Sequence, residues 1–187
     1  MLREVEKMKY YKKLTGKKVY LSPMNVEDAE IYVKWLNDFD VTDGLGTSNR
    51  VVSLEGEREW ISQNSGHNQF AVVRLEDDKL IGNCGIHGLD QSKQCAEVGL
   101  FIGDEENRNK GYGQDVLDLL LNYGFNYLNL NNIMLKVFSF NEPAINCYKK
   151  VGFKEIGRRR KSYYLRGKFY DDVYMDILRE EYHQFDK

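Results

Sequence analysis

The stretch that decides the fold of this 187-residue chain reads Arg108-Asn109-Lys110-Gly111-Tyr112-Gly113. It joins a strand-like run, 97–102, to an amphipathic helical run, 111–128. Two glycines spaced by one residue let the backbone turn tightly, because no Cβ obstructs it. The amides of such a turn point out of a helix start, where the macrodipole contributes about half a positive charge, and Arg108 and Lys110 add full charges beside them. The sequence therefore predicts a site for a phosphate or pyrophosphate group.

Two familiar nucleotide loops do not match this glycine loop. A dinucleotide-binding loop needs a third glycine three residues later, but position 116 is Val. A Walker loop needs Gly-Lys-Ser/Thr, whereas this chain continues Gly113-Gln114-Asp115. From the loop alone, the open alternatives are a phosphate site of another class and a structural turn that binds nothing.

Composition limits the classes of protein to consider. Hydrophobic residues make up 42% and charged residues 30% of the chain, which is typical of a single globular domain. The net charge of -2 argues against a general electrostatic attraction to nucleic acid. The three cysteines fit no metal or redox spacing, so we expect reduced thiols and no metal. Neither a signal peptide nor a stretch of about 20 apolar residues is evident, so we expect a cytoplasmic protein without membrane contact.

The order of predicted elements is β, α, α, β, β, β, α, β, α, β, β, which indicates a mixed α/β fold. Three strands run together before the glycine loop, so the order is not that of a doubly wound Rossmann fold. Residues 38–50, rich in Asp, Gly and Thr, are predicted as a loop between the first two helices. We predict an N-terminal arm over 1–17, one domain over 18–180 and a tail over 181–187.

A second motif follows the strand 133–138 and reads Asn141-Glu142-Pro143-Ala144-Ile145-Asn146-Cys147-Tyr148-Lys149-Lys150-Val151-Gly152-Phe153. Together the two motifs resemble those of the GNAT superfamily of N-acetyltransferases. These enzymes carry Arg/Gln-x-x-Gly-x-Gly/Ala and, some thirty residues later, Asn-x-x-Ala-x-x-x-Tyr-x-x-x-Gly-Phe. The resemblance spans roughly 18–177. Gly167, Phe169 and Asp172 make the chain similar to the Rim type, whose known members acetylate N-terminal amines of ribosomal proteins.

The resemblance implies an α/β (α+β) fold of the GNAT type. Its central sheet would be mixed, mostly antiparallel and six- to seven-stranded, with about four flanking helices. The central strands would be splayed, and the pantetheine arm of acetyl-CoA would lie in the gap between them.

The resemblance also implies the cofactor contacts. Backbone groups of 101–103 would pair with pantetheine, the amides of 109–113 would hold the pyrophosphate, Asn141 would hydrogen-bond the pantetheine arm, and Tyr148 would lie near the thioester sulfur. The implied cofactor-binding residues are Phe101, Ile102, Gly103, Arg108, Asn109, Lys110, Gly111, Tyr112, Gly113, Asn141 and Tyr148.

Two residues are candidates for catalysis. Glu97 stands where histone-acetylating members of the superfamily place a catalytic glutamate, and Tyr148 would reprotonate the leaving thiolate. Freeing a lysine-like amine of pKa about 10.4 at pH 7 costs about 4.6 kcal/mol, against about 1 kcal/mol for an N-terminal amine. A base therefore helps most with strongly basic acceptors. Rim-type enzymes often have a glutamate where this chain has Lys136, which leaves Glu97 as the better base.

Each catalytic candidate also has a structural interpretation. Glu97 would then be a solvated strand residue or an ion-pair partner, and Tyr148 a packed aromatic of its helix.

The acceptor site of the superfamily is built from the two N-terminal helices, their loop and the last hairpin. Here these correspond to 35–50 and 162–172, where acids and aromatics suit a cationic amine. The candidate acceptor contacts are Trp35, Asp43, His87 and Tyr164. A peptide N-terminus, a polyamine, an amino sugar and an aminoglycoside all stay open as acceptors, and we keep a homodimer as a candidate assembly.

Two functional hypotheses follow. The first is an acetyl-CoA-dependent N-acetyltransferase in which a primary amine attacks the thioester directly in a ternary complex. The second is a non-catalytic acyl-CoA-binding sensor or partner subunit. The pair Glu97 and Tyr148 favours the enzyme, because binding alone needs neither residue.

Overall fold

The computed structural model describes residues 8–182, so residues 1–7 of the predicted arm and 183–187 of the predicted tail lie outside the described range. The strands are β1 (Leu14–Thr15), β2 (Val19–Pro23), β3 (Gln69–Arg74), β4 (Leu80–Asp90), β5 (Cys95–Ile102), β6 (Asn132–Phe138), β7 (Lys154–Leu165) and β8 (Lys168–Leu178). The helices are α1 (Ala29–Leu36), α2 (Phe39–Leu45), α3 (Leu54–Asn64), α4 (Tyr112–Asn126) and α5 (Glu142–Val151).

Residues 8–182 form one open sheet with the strand order β1-β2-β3-β4-β5-β6-β8-β7. Neighbouring strands are antiparallel except β5 and β6, which are parallel. The predicted mixed α/β fold of the GNAT type is therefore confirmed. The sheet has eight strands rather than six to seven because Leu14 and Thr15, from the predicted arm, pair with Leu21 and Tyr20 of β2. None of the helices within 8–182 is both long and apolar enough to cross a membrane.

The prediction of a loop over 38–50 is wrong, because Phe39–Leu45 forms helix α2. Asp38 caps its start by accepting a hydrogen bond from the Asp40 amide. Gly46 ends the helix in the left-handed conformation, at φ 73°. The same Asp and Gly residues that suggested a loop are the signals that begin and end a short helix.

Two hydrophobic clusters lie on opposite faces of the sheet. On one face, the α4 side chains Val116, Leu120 and Phe125 are 0% exposed and belong to the same cluster as Ile133 of β6. On the other face, α1 and α3 pack on alternate residues of β2 and β3. Because successive strand residues point to opposite faces, β2 and β3 contribute to both clusters. The sheet is therefore held between two helical layers.

The central pair β5 and β6 separates soon after it forms. Its parallel register covers Cys95 to Glu97 against Asn132 to Met134. Beyond Glu97, β5 stays paired with β4 through Ile102, while β6 stays paired with β8 through Phe138. A gap thus opens between the two strands toward their C-terminal ends, as the splayed strands of the predicted fold require.

A buried carboxylate connects the helix after the glycine loop to the far side of the sheet. Asp115, in the first turn of α4, is 8% exposed. It accepts hydrogen bonds from the backbone amides of Lys17, Lys18 and Val19 at 3.0, 2.7 and 2.9 Å. A Cβ at Gly16 would lie 2.5 Å from its Oδ2, so only glycine fits there. The start of α4 is therefore anchored to the chain that enters β2.

We predict that Asp115→Ala lowers the free energy of unfolding by about 3 kcal/mol, because it leaves three amides without their acceptor. Asp115→Asn, which retains one acceptor oxygen, should cost about half as much. Urea unfolding followed by circular dichroism measures both values. Asp118→Asn, one turn later, is the matched control: burial raises the pKa of the Asp118 carboxyl, so losing its charge should cost under about 0.5 kcal/mol. An equal loss of unfolding free energy in Asp115→Ala and in the control Asp118→Asn would contradict the anchoring role.

Candidate active site

The gap between β5 and β6 exposes backbone groups of alternate β5 residues. The Gly103 amide donates to the Ile81 carbonyl at 2.9 Å, so Gly103 bonds toward β4. In an antiparallel pair the bonded residues alternate, which places the backbone groups of Phe101 on the β4 side as well. Those of Leu100 and Ile102 point into the gap. The prediction for Ile102 fits this pattern, whereas Phe101 and Gly103 are already engaged; Leu100 was missed because sequence alone does not give the phase of a ladder.

The glycine loop presents free amides at the end of this gap. Asn109 and Gly111 both have left-handed backbones, with φ 59° and 82°. Gly111 is the N-cap of α4 and offers no side chain to its first turn. The amides of that turn have no partner within the helix, and consecutive amides in such a turn form a concave anion site. The geometry therefore suits the pyrophosphate group that the sequence predicts here.

Two side chains hold the loop in this shape. Arg108 Nη2 donates to the Gly103 carbonyl at 2.8 Å, which closes the loop onto the end of β5. Lys18 Nζ donates to the Lys110 carbonyl at 2.6 Å. Arg108 was predicted as a phosphate contact; part of its guanidinium is used to position the loop, and its remaining N–H groups stay available.

The second motif approaches the gap from the α4 face of the sheet. A Cβ at Gly113 would lie 3.6 Å from Cys147 Sγ and 3.7 Å from Leu100 Cδ1, so the loop, β5 and α5 meet there. Asn141 caps α5 by accepting from the Ala144 amide at 3.3 Å, and its Nδ2 lies near Gly44 of α2, where a Cβ would be 3.2 Å away. The cap uses one lone pair of Asn141 Oδ1, so Nδ2 and the second lone pair of Oδ1 are left to contact a pantetheine arm.

Tyr148 is largely packed, as an aromatic of the helix face would be. Its ring makes an edge contact with Phe153 at 6.1 Å between centroids. No hydrogen bond to its hydroxyl exists within residues 8–182. Burial, with a smaller contribution from the Cys147 thiol, raises the pKa of the Tyr148 hydroxyl to about 12. The hydroxyl is therefore protonated at every physiological pH and is a hydrogen-bond donor without an acceptor.

The raised pKa of Tyr148 limits its chemistry. A thiol has a pKa of about 8.5, so full transfer of the phenolic proton to a thiolate would be uphill by about 5 kcal/mol. Donating a hydrogen bond to developing charge on sulfur carries no such cost. The arrangement supports stabilisation of a leaving thiolate more than its complete reprotonation.

Glu97 lies on the opposite face of the sheet, at the last residue pair before the gap opens. It is exposed, and within 8–182 its carboxylate has no hydrogen bond or ion pair. Its cross-strand partner is His87 of β4. His87 Nδ1 lies 2.9 Å from Nε2 of Gln69, a buried side chain of β3, which holds the imidazole in place. Glu97 and His87 thus place a carboxylate and an imidazole side by side at the solvent-accessible surface, and the contact of His87 with Gln69 was not evident from the sequence.

Trp35, predicted to contact the acceptor, instead lies in the core. It is 2% exposed, and its Nε1 donates to Asp104 Oδ1 at 2.9 Å. Its ring packs edge-on to Phe101 at 6.0 Å. A Cβ at Gly103 would lie 2.1 Å from the indole, so Trp35 supports the end of β5. Its position on the buried side of α1 removes it from the acceptor surface.

An aromatic cluster at the end of β6 contains Tyr163, whereas Tyr164, the predicted acceptor contact, lies outside it. Tyr163 stacks on Phe138 at 4.0 Å between centroids, and Phe140 and Tyr170 complete the cluster. Tyr164 is 61% exposed and packs on Phe169. Adjacent strand residues point to opposite faces, so sequence could identify the aromatic pair but not which member packs on Phe138.

Asp43 of α2 links the helix to the last hairpin. Its Oδ2 pairs with Arg166 Nη2 at 2.8 Å, and its Oδ1 accepts from Ser48 Oγ at 2.6 Å. Asp172, the β8 partner of Phe138, is 5% exposed, and its carboxylate has no hydrogen bond or ion pair within 8–182. Among the same residues, no group of three or more His, Cys, Asp or Glu side chains is placed to hold a metal ion.

Comparisons with known proteins agree with this geometry. The family profile described as an acetyltransferase (GNAT) domain matches residues 21–174. An uncharacterized N-acetyltransferase, p20, of Bacillus licheniformis is 29% identical over 175 residues, which cover 90% of this chain and 97% of p20. YdaF of Bacillus subtilis, whose name proposes a ribosomal N-acetyltransferase, is 31% identical over 124 residues, covering 66% of this chain and 67% of YdaF.

Solved structures share the fold. A GNAT-family acetyltransferase from Bacillus anthracis superimposes with a TM-score of 0.79 at 23% identity, covering 90% of this chain and 99% of that protein. A spermidine N-acetyltransferase from Vibrio cholerae, solved with CoA and spermine, gives 0.79 at 23% identity, covering 88% and 97%. At this identity the likeness concerns the fold alone.

We predict that the ion pair between Asp43 and Arg166 holds α2 against the hairpin with a coupling of about 0.5–1 kcal/mol. The Arg166 side chain is 65% exposed and that of Asp43 17%, so solvent weakens the pair. A double-mutant cycle with Asp43→Asn and Arg166→Gln measures the coupling. Hydrogen exchange of the α2 amides should accelerate in Arg166→Gln and stay unchanged in Lys93→Gln, which breaks a remote pair with Asp90. Unchanged exchange in both variants would refute the link.

Proposed function

The chain belongs to the GNAT acetyltransferase family and is an acyltransferase that uses acetyl-CoA, and we propose that it transfers the acetyl group to a primary amine by direct attack in a ternary complex. The observation that carries this proposal is the gap between β5 and β6. The free amides of the glycine loop lie at its end, Tyr148 approaches it from one face of the sheet, and Glu97 stands beside its opening on the other.

In the proposed reaction, the amine is activated on one face of the sheet and the leaving thiolate is stabilised on the other. The amine loses a proton, directly or through water, to the Glu97 carboxylate, and its nitrogen lone pair attacks the thioester carbon. The C–S bond breaks, and the electron pair leaves with the thiolate of CoA. Tyr148 donates a hydrogen bond to that sulfur, which stabilises the charge. The proton released by the amine is then available to the thiolate through solvent.

The acceptor side supports a cationic amine. Asp172 is nearly buried, and its carboxylate makes no hydrogen bond or ion pair within residues 8–182. Its cross-strand neighbours are Phe138, on which Tyr163 stacks, and Arg159. A carboxylate next to aromatic faces suits an ammonium group. Lys136 Nζ lies 5.8 Å from the Phe138 ring centroid, on the same face. Its positive charge would repel an acceptor that carries several positive charges close to the reacting amine.

Four classes of amine are alternatives for the acceptor. A peptide N-terminus would agree with the Rim-type resemblance and with the name of YdaF. A polyamine would agree with the name of the Vibrio cholerae enzyme. Amino sugars and aminoglycosides share the primary amine that the chemistry needs. A screen of all four classes, read by release of the CoA thiol, is the direct test, and absence of transfer to each class despite tight acetyl-CoA binding would favour the sensor.

We predict that acetyl-CoA at a hundred times its dissociation constant raises the melting temperature by about 5–10 °C, because such binding adds about 2.7 kcal/mol to the free energy of unfolding. Differential scanning fluorimetry measures the shift, with adenosine monophosphate as the control ligand. No shift at millimolar acetyl-CoA would reject the proposed function.

Tyr148→Phe should lower kcat by about a hundredfold while acetyl-CoA affinity stays within about threefold, because the ring is kept and only the hydrogen bond to sulfur is lost. Steady-state kinetics and calorimetric titration measure the two quantities. Tyr123→Phe is the matched control: Tyr123 lies on α4, and its hydroxyl contacts Asn68 rather than the gap. Equal kcat values for the wild type and Tyr148→Phe would show that this hydroxyl has no role in the transfer.

Glu97→Gln should lower kcat/KM at pH 7 far more for a lysine-like acceptor than for an N-terminal amine. The two amines differ by about 3.5 kcal/mol in the cost of deprotonation, which a base helps to meet. Raising the pH should restore activity as the amine deprotonates without help. His87→Gln, on the adjacent strand, is the comparison. If His87→Gln rather than Glu97→Gln shows this dependence on acceptor and pH, the imidazole is the base instead.

A further inference from the structure

A cationic cavity lies on the other side of the first turn of α4 from the gap. It has a volume of about 480 Å³. Its lining residues come from three separate segments: the chain entering β2, the end of β3 and the glycine loop. They are Lys17, Lys18, Arg74, Leu75, Glu76, Lys110 and Tyr112. Of these residues, the sequence analysis predicted only Lys110 and Tyr112 as phosphate contacts.

Two of the cationic groups are held in fixed positions. Lys18 Nζ donates to the Lys110 carbonyl at 2.6 Å, and a Cβ at Gly111 would lie 3.1 Å from the same nitrogen. The Arg74 guanidinium bonds both oxygens of Asp77, at 2.8 and 2.6 Å, and Asn107 Oδ1 at 2.9 Å. The cavity is therefore lined by groups whose geometry exists before a ligand arrives.

The protein around the cavity balances its positive charges only in part, because the lining has four cationic side chains and one carboxylate, that of Glu76. Asp77 pairs with Arg74, and the buried Asp115 carboxylate is satisfied by backbone amides. Within residues 8–182, no carboxylate lies within ion-pair distance of the ammonium groups of Lys17, Lys18 or Lys110. Three like charges facing one cavity repel each other, and an anion placed among them relieves that repulsion.

We propose that this cavity binds a phosphate group. A phosphate monoester carries up to two negative charges and three acceptor oxygens, which suit a cavity lined by three lysines and an arginine. Lys110 and Tyr112 flank Gly111, so the cavity is continuous with the loop proposed to hold the pyrophosphate. One source of the phosphate is the 3′-phosphate of CoA, a case that rests on the proposed function; the other is a separate phosphorylated ligand.

The test compares CoA with 3′-dephospho-CoA on the full chain by calorimetric titration, for the wild type, Lys17→Gln and Lys17→Glu. Lys17 is chosen because its side chain makes no hydrogen bond or ion pair within 8–182 and its backbone bond to Asp115 is unaffected. Lys13→Gln removes the same charge from an exposed neighbour outside the cavity and is the control. Melting temperatures with inorganic phosphate, at saturating CoA, complete the set.

If the 3′-phosphate occupies the cavity, the wild type binds CoA about tenfold more tightly than 3′-dephospho-CoA, since a charge-assisted hydrogen bond typically contributes that factor. Lys17→Glu then loses most of this difference, Lys17→Gln part of it and Lys13→Gln none. If a separate ligand is bound, the two CoA forms bind equally, but inorganic phosphate raises the melting temperature of the wild type and not of Lys17→Glu.

Equal binding of both CoA forms together with no effect of phosphate would overturn the proposal. Failure of the proposed function gives a different result. If the protein does not use acetyl-CoA, the wild type binds neither acetyl-CoA nor CoA. Stabilisation by inorganic phosphate that is lost in Lys17→Glu would then still support a phosphate site in the cavity.

Discussion

The arrangement of this protein depends on the early separation of β5 from β6. The two strands share residue pairs only up to Glu97 and Met134, and each then continues with its outer neighbour. An unpaired strand edge inside a sheet is costly unless another group takes up its hydrogen bonds. Here the free groups belong to alternate residues of β5, and the gap they border is where both sequence motifs converge.

In the proposed reaction, groups on the two faces of the sheet act on opposite sides of the gap. Tyr148 and the glycine loop belong to the layer of α4 and α5, while Glu97 and His87 lie on the layer of α1 to α3. A thioester in the gap would be reached by a leaving-group donor from one face and by an amine from the other. Asp115, far from the reacting atoms, supports this division because it fixes the start of α4 to the chain before β2.

Sequence reasoning succeeded where a local pattern has one structural solution. The paired glycines and the Asn141 motif indicated the loop, α4 and α5, and hydrophobic periodicity indicated the fold class. Sequence reasoning failed where a residue's orientation depends on the hydrogen-bonding phase of a strand or on contacts with residues distant in sequence. The phase of the β4–β5 ladder directs the backbone groups of Phe101 and Gly103 toward β4 and leaves those of Ile102, which was predicted, and Leu100, which was not, at the gap. Strand alternation puts Tyr163 rather than Tyr164 in the aromatic cluster with Phe138, and packing on Gly103 places Trp35 in the core.

The sequence by itself determined the mixed α/β fold and the place of the glycine turn proposed to bind an anion, because a glycine turn before a helix has the same amide geometry wherever it occurs. The tertiary structure alone decided which side chains surround that turn. Lys17, Arg74 and Asp115 are separated in sequence by tens of residues, and they meet at the start of α4 only because β2 and β3 pair across the sheet. Such contacts follow from the register of strands, which no local pattern specifies.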